Sequence, residues 1–281
     1  MLALCLSWGL NQIAVKLALP DIPPLTQAVI RSTGAALIIV AWARLRGVSL
    51  TTRDGTLIPG IAAGVVFGLE FILIFRGLVW TAASRASVFL YTAPFFVALG
   101  ARWLLPGDRL SPLQWLGLVL SFAGIVVAFG VPDPSVGPYA FLGDLMMIGA
   151  GAAWGFTTLI IKGSRLAFAP AEKVLAYQLA VSIPILAIGA ALLGERIDHA
   201  PGPVSLAWLL YQTCWVVSLT YAVWFAMVKR YAASRLTSFT FLTPIFGVAA
   251  GHFVLGEPVT PAFALAAALV VAGLFLVNRP R

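Results

Sequence analysis

The sequence predicts an all-α integral membrane protein with ten transmembrane helices, arranged as two five-helix inverted repeats around a central cavity. Three observations carry this prediction: the composition, ten long apolar runs, and a polar phrase that occurs twice. Of the 281 residues 61% are hydrophobic and 10% are charged, and the mean hydropathy is +0.99. Soluble domains average about half apolar and about a quarter charged residues. Little of the chain is therefore left for a domain outside the membrane.

Ten apolar runs follow one another, each close to the roughly 20 residues with which a helix crosses a bilayer. Their approximate ranges are 2–19, 24–44, 57–79, 84–105 and 112–130, then 141–162, 171–193, 204–228, 234–255 and 261–278. The joins are short and contain proline and glycine, which is typical of turns. The strands of a transmembrane barrel alternate apolar and polar residues, whereas these runs are continuously apolar, so helices are predicted.

The positive charges predict how the helices are oriented, because cytoplasmic loops carry an excess of lysine and arginine. With both termini in the cytoplasm, the opposite side holds only two cations outside the helices, Arg85 and Arg196. The cytoplasmic side holds thirteen, which are Arg44, Arg46, Arg53, Arg102, Arg109, Lys162, Arg165, Lys173, Lys229, Arg230, Arg235, Arg279 and Arg281. This asymmetry accounts for the net charge of +8 without a nucleic-acid partner, and it predicts a multi-pass protein of the cytoplasmic (inner) membrane.

The repeated phrase occupies residues 84–93 and 234–243, and a proline closes each copy, Pro94 and Pro244. Earlier in each half a Trp-Gly pair precedes a lysine at the same spacing, at residues 8, 9 and 16 and at residues 154, 155 and 162. These matches divide the chain into a first repeat, 1–131, and a second, 132–281. Because each repeat has an odd number of spans, the second must enter the membrane from the other side, an arrangement found in secondary transporters.

The sequence resembles the ten-helix drug/metabolite transporter superfamily with two EamA-type domains. The Trp-Gly pairs of helices 1 and 6, Arg31 in helix 2 and Ala-Ser-Arg followed by proline in helices 4 and 9 carry the resemblance. Gly-Asp-Arg-Leu-Ser at 107–111 and Gly-Glu-Pro-Val-Thr at 256–260 add to it, although Asp108 stands where glutamate is usual. The resemblance implies export of small metabolites, and the aromatic-rich sequence is similar to amino-acid exporters of the YddG type.

Two matching helix faces are candidates for substrate binding. Helical spacing places Trp8, Asn11 and Gln12 on one face of helix 1. The equivalent face of helix 6 carries Trp154, Thr157 and Thr158. Indole rings can stack on an apolar or aromatic solute while amide or hydroxyl groups hold its polar end. The alternatives are hydrogen bonds between helices and tryptophans that anchor the helix at the membrane interface.

Three tyrosines extend the predicted site. Tyr91 lies in the first copy of the repeated phrase, and Tyr177 and Tyr221 are assigned inward because the repeat matches them with Arg31 and Phe71. Other aromatic residues of helices 7 and 8 are expected to include lipid-facing ones.

The repeated phrases also predict a gate. Proline removes the hydrogen bond to the carbonyl four residues earlier, and in a bilayer that carbonyl needs another donor. The predicted hinge residues are Ser87, Pro94, Thr237 and Pro244. A static kink that improves helix packing is the alternative.

Glu70 is the one carboxylate placed deep within a predicted helix, and Arg31 lies deep in helix 2. Charged groups at this depth cost about 2.5–3.5 kcal/mol on insertion scales and are usually paired. Either the two form an ion pair that fixes helices 2 and 3, or Glu70 carries a proton that couples export to a proton gradient. Their repeat partners are uncharged, which weakens the second interpretation.

Together these features predict a transporter that exports small metabolites, amino acids above all, by alternating access. A channel is the main alternative, since a pore also needs polar groups in an apolar shell. An intramembrane enzyme would need a catalytic or metal-binding constellation, and the sequence contains none, so no enzyme activity, metal or cofactor is expected. The expected partners are the small-molecule substrate and the lipid bilayer, and ten helices suffice for a cavity within a monomer.

Overall fold

The protein is described by a computed structural model, which covers residues 1–81, 86, 89–105, 110–129, 138–255 and 261–279. This part of the chain is all-helical, which confirms the predicted all-α class. Its main helices are α1 (Leu2–Ala18), α2 (Pro24–Leu45), α3 (Leu57–Trp80), α4 (Ala93–Leu104), α5 (Pro112–Phe129), α6 (Ala140–Lys162), α7 (Ala171–Leu192), α8 (Pro203–Arg230), α9 (Leu242–Leu255) and α10 (Pro261–Val277).

Five of these helices, α2, α3, α6, α7 and α8, are long and apolar enough to cross a bilayer, and α1, α4, α5 and α10 contain shorter apolar stretches. Large apolar side chains point outward on several of them. Ile58, Trp103 and Phe141 are each more than two-thirds exposed. Such a surface suits contact with lipid hydrocarbon, because a soluble protein rarely exposes so much apolar area.

Glycines bring α3 close to α7. A Cβ atom on Gly60 would lie 2.6 Å from the ring of Tyr177, and one on Gly64 would lie 2.6 Å from Cβ of Val181. Gly68 continues the same stripe against Ile185. Small residues at four-residue spacing allow helix backbones to approach closely in membranes.

Glycines also hold α1 against α9 and α6 against α4. A Cβ on Gly9 would meet the backbone of Thr243 and Gly247 at 2.8 Å. A Cβ on Gly155 would meet Cβ of Phe96 at 2.8 Å. Gly9 and Gly155 are the glycines of the two Trp-Gly pairs in the sequence, and both lie at close contacts between helices.

The proline-containing segments are broken helices rather than continuous kinked ones. α4 begins at Ala93, after a turn at Tyr91 and Thr92 that follows the helical residues 89 and 90. Pro94 therefore sits in the first turn of α4, where its missing N–H leaves no hydrogen bond unmade. Ser87 lies outside the described residues.

The second proline segment is broken in a similar way. A short helix, Ala233–Ser238, and a 3₁₀ turn, Phe239–Phe241, precede α9, and Pro244 lies in the first turn of α9. The carbonyl of Phe239 accepts a hydrogen bond from the thiol of Cys5 at 3.3 Å. The carbonyl of Phe89 before α4 accepts one from the hydroxyl of Thr92 at 2.7 Å. A side-chain donor thus adds a hydrogen bond to one carbonyl at each break, and the backbone N–H groups of Thr92 and Leu242 also donate to these carbonyls.

Helix α8 contains a ten-residue π-helical segment, Tyr211–Thr220. The hydroxyl of Ser218 donates to the carbonyl of Thr213 at 2.7 Å, and Tyr211 and Trp215 donate to the backbone and hydroxyl oxygens of Ser7 in α1. π segments are uncommon and often occur at functional sites. Here the segment leads directly into Tyr221 and the residues that face the interior.

Candidate functional site

A cavity lies inside the helical bundle, between α1, α3, α6, α7 and α8 and the turn before α4. It contains about 650 Å³ of space not occupied by protein atoms, of which part is open to solvent. Its lining combines aromatic rings with a few polar groups, and consists of Trp8, Asn11, Gln12, Phe67, Glu70, Phe71, Ile74, Phe75, Leu90, Tyr91, Trp154, Thr157, Gln178, Tyr221, Trp224 and Phe225.

A cluster of aromatic rings forms one part of this lining. The ring centroid of Trp8 lies 5.6 Å from that of Trp154, 5.4 Å from that of Trp224 and 6.3 Å from that of Tyr221, all edge to face. Tyr91 approaches Trp154 at 5.7 Å. Edge-to-face pairs at these distances are attractive beyond the area that they bury. Rings from both halves of the chain therefore meet at the cavity.

The ring of Trp8 is held in place by a hydrogen bond. Its Nε1 donates to the hydroxyl oxygen of Thr220 at 2.9 Å, and Thr220 in turn donates to the carbonyl of Val216 at 2.6 Å. A buried indole N–H needs such a partner. Thr220 thus orients the ring without lining the cavity itself.

Seven of the nine predicted binding residues lie in the lining, namely Trp8, Asn11, Gln12, Tyr91, Trp154, Thr157 and Tyr221. Two do not. The hydroxyl of Thr158 donates to the carbonyl of Trp154 at 3.0 Å within α6. Tyr177 packs against Gly60, and its hydroxyl lies 3.2 Å from that of Thr56, so it belongs to the contact between α3 and α7.

Glu70 and Arg31 are both buried, but they form no salt bridge within 4.0 Å in the described part of the chain. The guanidinium carbon of Arg31 lies 4.1 Å from the ring centroid of Phe71 and 4.9 Å from that of Phe75. Such stacking is an attractive cation–π contact. The direct ion pair considered from the sequence is therefore absent between these two described residues, although their charges attract each other over a longer distance.

Several polar atoms that line the cavity have no hydrogen-bond partner among the described residues. They are Oδ1 of Asn11, Oε1 of Gln12, Oε2 of Glu70, Oγ1 of Thr157, both amide atoms of Gln178 and Nε1 of Trp224. Buried polar groups without partners are rare in native proteins. A concentration of them in one aromatic cavity indicates a site for a ligand with a polar end.

Charged side chains connect the ends of neighbouring helices through hydrogen bonds and ion pairs. Asp54 accepts hydrogen bonds from the backbone and hydroxyl of Thr56 at the start of α3, and Nζ of Lys173 on α7 lies 2.9 Å from its Oδ2. Hydrogen bonds from Thr56 and then from Lys173 hold the pKa of this carboxyl below its usual value.

Asp21, in the loop after α1, acts in the same way at the start of α8. It accepts hydrogen bonds from the backbone of Gly202 and the hydroxyl of Ser205, and it lies 3.2 Å from the imidazole of His199. The hydroxyl of Ser205 first, then the backbone and His199, lower the pKa of Asp21.

The sequence model of the EamA-like transporter family matches residues 1–130 and 141–279. The chain belongs to the EamA-like transporter family. The family has a ten-helix membrane fold, and the protein is accordingly a membrane transporter.

Relatives of this EamA-family protein are also named as transporters. An uncharacterized transporter of Bacillus subtilis, YvbV, is 28% identical over 98% of this chain and 89% of its own length. A protein of Salmonella typhimurium, named probable amino-acid metabolite efflux pump, is 28% identical over 96% of this chain and 90% of its own. The inner membrane transporter YedA of Escherichia coli is 23% identical over 99% and 89%. One solved crystal structure, at 22% identity, has a TM-score of 0.81 and covers 99% of this chain and 95% of that one, a likeness of fold.

Parts of the cavity of this EamA-family protein were missed by the sequence analysis. α3 contributes Phe67, Phe71, Ile74 and Phe75 around Glu70, and α8 contributes Trp224 and Phe225 beside Tyr221. Their spacing of three and four residues is the available signal. In a run that is apolar on every side, however, this spacing does not distinguish an interior face from a lipid-facing one.

Proposed function

We propose that this transporter exports small metabolites, amino acids with aromatic or other neutral side chains above all, by alternating access. The observation that carries the proposal is the aromatic cavity with unpartnered polar atoms, built from helices of both halves of the chain. The efflux pump of Salmonella typhimurium, whose printed name refers to amino-acid metabolites, supports the substrate class.

In the proposed binding mode, the solute's side chain lies among Trp8, Trp154 and Tyr221, where ring faces and edges accept apolar and aromatic groups. The amides of Asn11 and Gln12 and the hydroxyl of Thr157 hold its polar end. These groups have buried oxygen atoms without partners, so a bound solute supplies hydrogen bonds that the protein does not make by itself.

The proposed cycle uses equivalent helix pairs on the two sides of the cavity. α1 packs on α9, and α6 packs on α4, through matched glycines. We propose that the breaks before α4 and α9, at Pro94 and Pro244, act as hinges, with Thr237 at the second break. The hydroxyl of Thr237 already donates to the carbonyl of Ala233 at 2.8 Å. Motion of one pair opens the cavity to one side, and motion of the other pair opens it to the other.

The arrangement in the membrane is part of the same proposal. Two inverted repeats, 1–131 and 132–281, place both termini in the cytoplasm, and the monomer encloses the cavity. The positive charges of the loops support this orientation.

Counterflow in liposomes tests the function. Liposomes that contain the purified protein and are loaded with unlabelled amino acid are expected to take up labelled amino acid transiently and with saturation. Flux that is linear in concentration, with ionic conductance and no counterflow, would show a channel and overturn the proposal.

Two cavity variants test the site. Trp8→Ala and Trp154→Ala are each expected to lower counterflow by about ten-fold, equivalent to about 1.4 kcal/mol, because each removes rings that line the cavity. Trp103→Ala is the matched control, since Trp103 is 81% exposed on α4 and should transport normally. Normal counterflow in both cavity variants would remove them from the binding site.

A further inference from the structure

The cavity contains a carboxylate that the described protein groups leave unsatisfied. Glu70, on α3, is 5% exposed, and its Oε2 has no hydrogen-bond partner among the described residues. It is the one carboxylate or cation among the described residues of the lining. An ionisable group at membrane depth is costly and normally finds a partner in the protein or in a cavity. The partner of Glu70 is therefore expected to lie in the cavity.

Arg31 does not take this place. All three of its guanidinium nitrogens lack a hydrogen-bond partner in the described part of the chain, and the group stacks on Phe71 and Phe75. Both rings line the cavity, whereas Arg31 does not. Arg31 offsets the charge of Glu70 over a distance but leaves Oε2 of the carboxylate without a hydrogen bond.

The residue that the sequence repeat matches with Glu70 has a known partner in the structure. The sequence repeat matches Glu70 with Thr220 and Trp154 with Trp8. Thr220 is occupied in holding the indole of Trp8 at 2.9 Å. No corresponding bond joins Trp154 to Glu70 among the described residues. The carboxylate of Glu70 therefore does not hold the matched tryptophan as Thr220 does, and its Oε2 lacks a partner among the described residues.

The surroundings of Glu70 suit a cation. Phe71, which follows it on α3, already stacks one cation, the guanidinium of Arg31, and the ring of Tyr221 lies 6.4 Å from that of Phe71. Ring faces attract ammonium groups, more strongly when these groups are desolvated. The unpartnered oxygens of Asn11 and Gln12 add acceptors on the facing helix α1. An ammonium has three donors and no acceptor, which complements this set.

We propose that Glu70 forms the subsite for an ammonium group of the transported solute. The cavity then selects small apolar or aromatic compounds that carry a primary amine, and the amine pairs with the carboxylate while the apolar part lies among the rings. This inference rests on the proposed function and deepens it. The ammonium can belong to an amino acid or to an amine without a carboxylate, and the experiment separates the two.

The test uses three compounds with the same phenyl group: phenylalanine, phenethylamine without the carboxylate, and 3-phenylpropionate without the ammonium. Binding to the purified protein is measured by thermal stabilisation, and transport by counterflow in liposomes. We expect the two ammonium compounds to bind at least about ten-fold more tightly than 3-phenylpropionate, a difference of about 1.4 kcal/mol. Equal binding of all three compounds to the wild-type protein would overturn the proposal without the need for any variant.

Variants then assign the preference to Glu70. Glu70→Gln keeps the shape and removes the charge, and should weaken both ammonium compounds by about ten-fold or more while binding of 3-phenylpropionate does not weaken. Glu70→Asp keeps the charge and should retain the preference for ammonium. An unchanged preference in a folded Glu70→Gln protein would overturn the assignment.

The two readouts separate this inference from the proposed function. Counterflow of phenylalanine without discrimination between ammonium compounds and 3-phenylpropionate would support amino-acid transport and overturn the ammonium subsite. Glu70-dependent binding and counterflow of phenethylamine, with no counterflow of phenylalanine, would support the subsite and assign amines rather than amino acids as substrates.

Discussion

At the scale of single residues, the indole of Trp8 depends on a residue that does not line the cavity. Trp8 lies in contact with Trp154 and Trp224, and its one polar atom donates to Thr220. Because the ring is 6% exposed, an unpaired indole N–H would be buried without water. Thr220 is therefore a positioning residue for the aromatic cluster.

Thr220→Val should consequently weaken solute binding without abolishing transport. The half-saturation concentration of counterflow is expected to rise by roughly three- to ten-fold, since a lost neutral hydrogen bond is worth about 0.5–1.5 kcal/mol, while the maximal rate stays near that of the wild type. Thr220→Ser retains the acceptor oxygen and should behave like the wild type. If the valine and serine variants have the same half-saturation concentration, Thr220 does not act through its hydroxyl.

At the scale of helices, two lysines cap the C-terminal ends of α3 and α8. Nζ of Lys16, at the end of α1, donates to the carbonyl of Thr81 at 3.1 Å. Nζ of Lys162, at the end of α6, donates to the carbonyls of Val228 at 2.8 Å and Tyr231 at 2.6 Å. The last carbonyls of a helix lack intrahelical donors, and a cation there also interacts favourably with the helix dipole.

Lys162 donates more hydrogen bonds than Lys16, so its replacement should destabilise the protein more. Lys162→Met should lower the melting temperature in detergent by roughly 3–6 °C, because bonds to a charged donor are worth about 1.5–3 kcal/mol when buried and less where partly exposed. Lys16→Met, which removes one bond, should lower it less. Arg230→Met is the control, since Arg230 is exposed at the end of α8. Equal melting temperatures for Lys162→Met and the wild type would contradict this role.

Helix positions were predictable where apolarity and turn residues agree. The runs predicted at 24–44 and 57–79 correspond to helices Pro24–Leu45 and Leu57–Trp80. The start of α4 at Ala93 and the π segment Tyr211–Thr220 were not predicted. Both occur inside continuous apolar runs, and hydropathy does not record how a backbone hydrogen bond is shifted or replaced.

The cavity was predictable only in part, for a related physical reason. The faces of α1 and α6 were found because their polar residues interrupt an apolar background at helical spacing, as at Asn11 and Thr157. Phe67 and Phe75 on α3 carry no such contrast with their neighbours. Tyr177 was assigned inward from its repeat partner, but the glycine stripe of α3 makes room for its ring between two helices.

At the scale of the whole molecule, equivalent contacts recur between the two halves. The turns after α2 and α7 each contain a glycine with positive φ, Gly47 at 66° and Gly194 at 65°. Beside them, Arg46 pairs with Glu172 at the start of α7, and Glu195 accepts hydrogen bonds from the backbone N–H and the hydroxyl of Thr26 at the start of α2. If the two halves are inverted repeats, these two turns lie at opposite faces of the membrane, because five spans separate them.

Cysteine labelling on intact cells tests this inversion. In a background with Cys5→Ala and Cys214→Ala, single variants Ser49→Cys and Ala200→Cys place a thiol in each of the two exposed turns. A membrane-impermeant maleimide should label Ala200→Cys on intact cells, and Ser49→Cys only after the cells are opened, because the positive charges assign the α2–α3 turn to the cytoplasm. The reverse pattern would invert the orientation but preserve the repeat. Labelling of both positions from the same side would rule out two inverted five-span units, and with them the matched gating by α4 and α9.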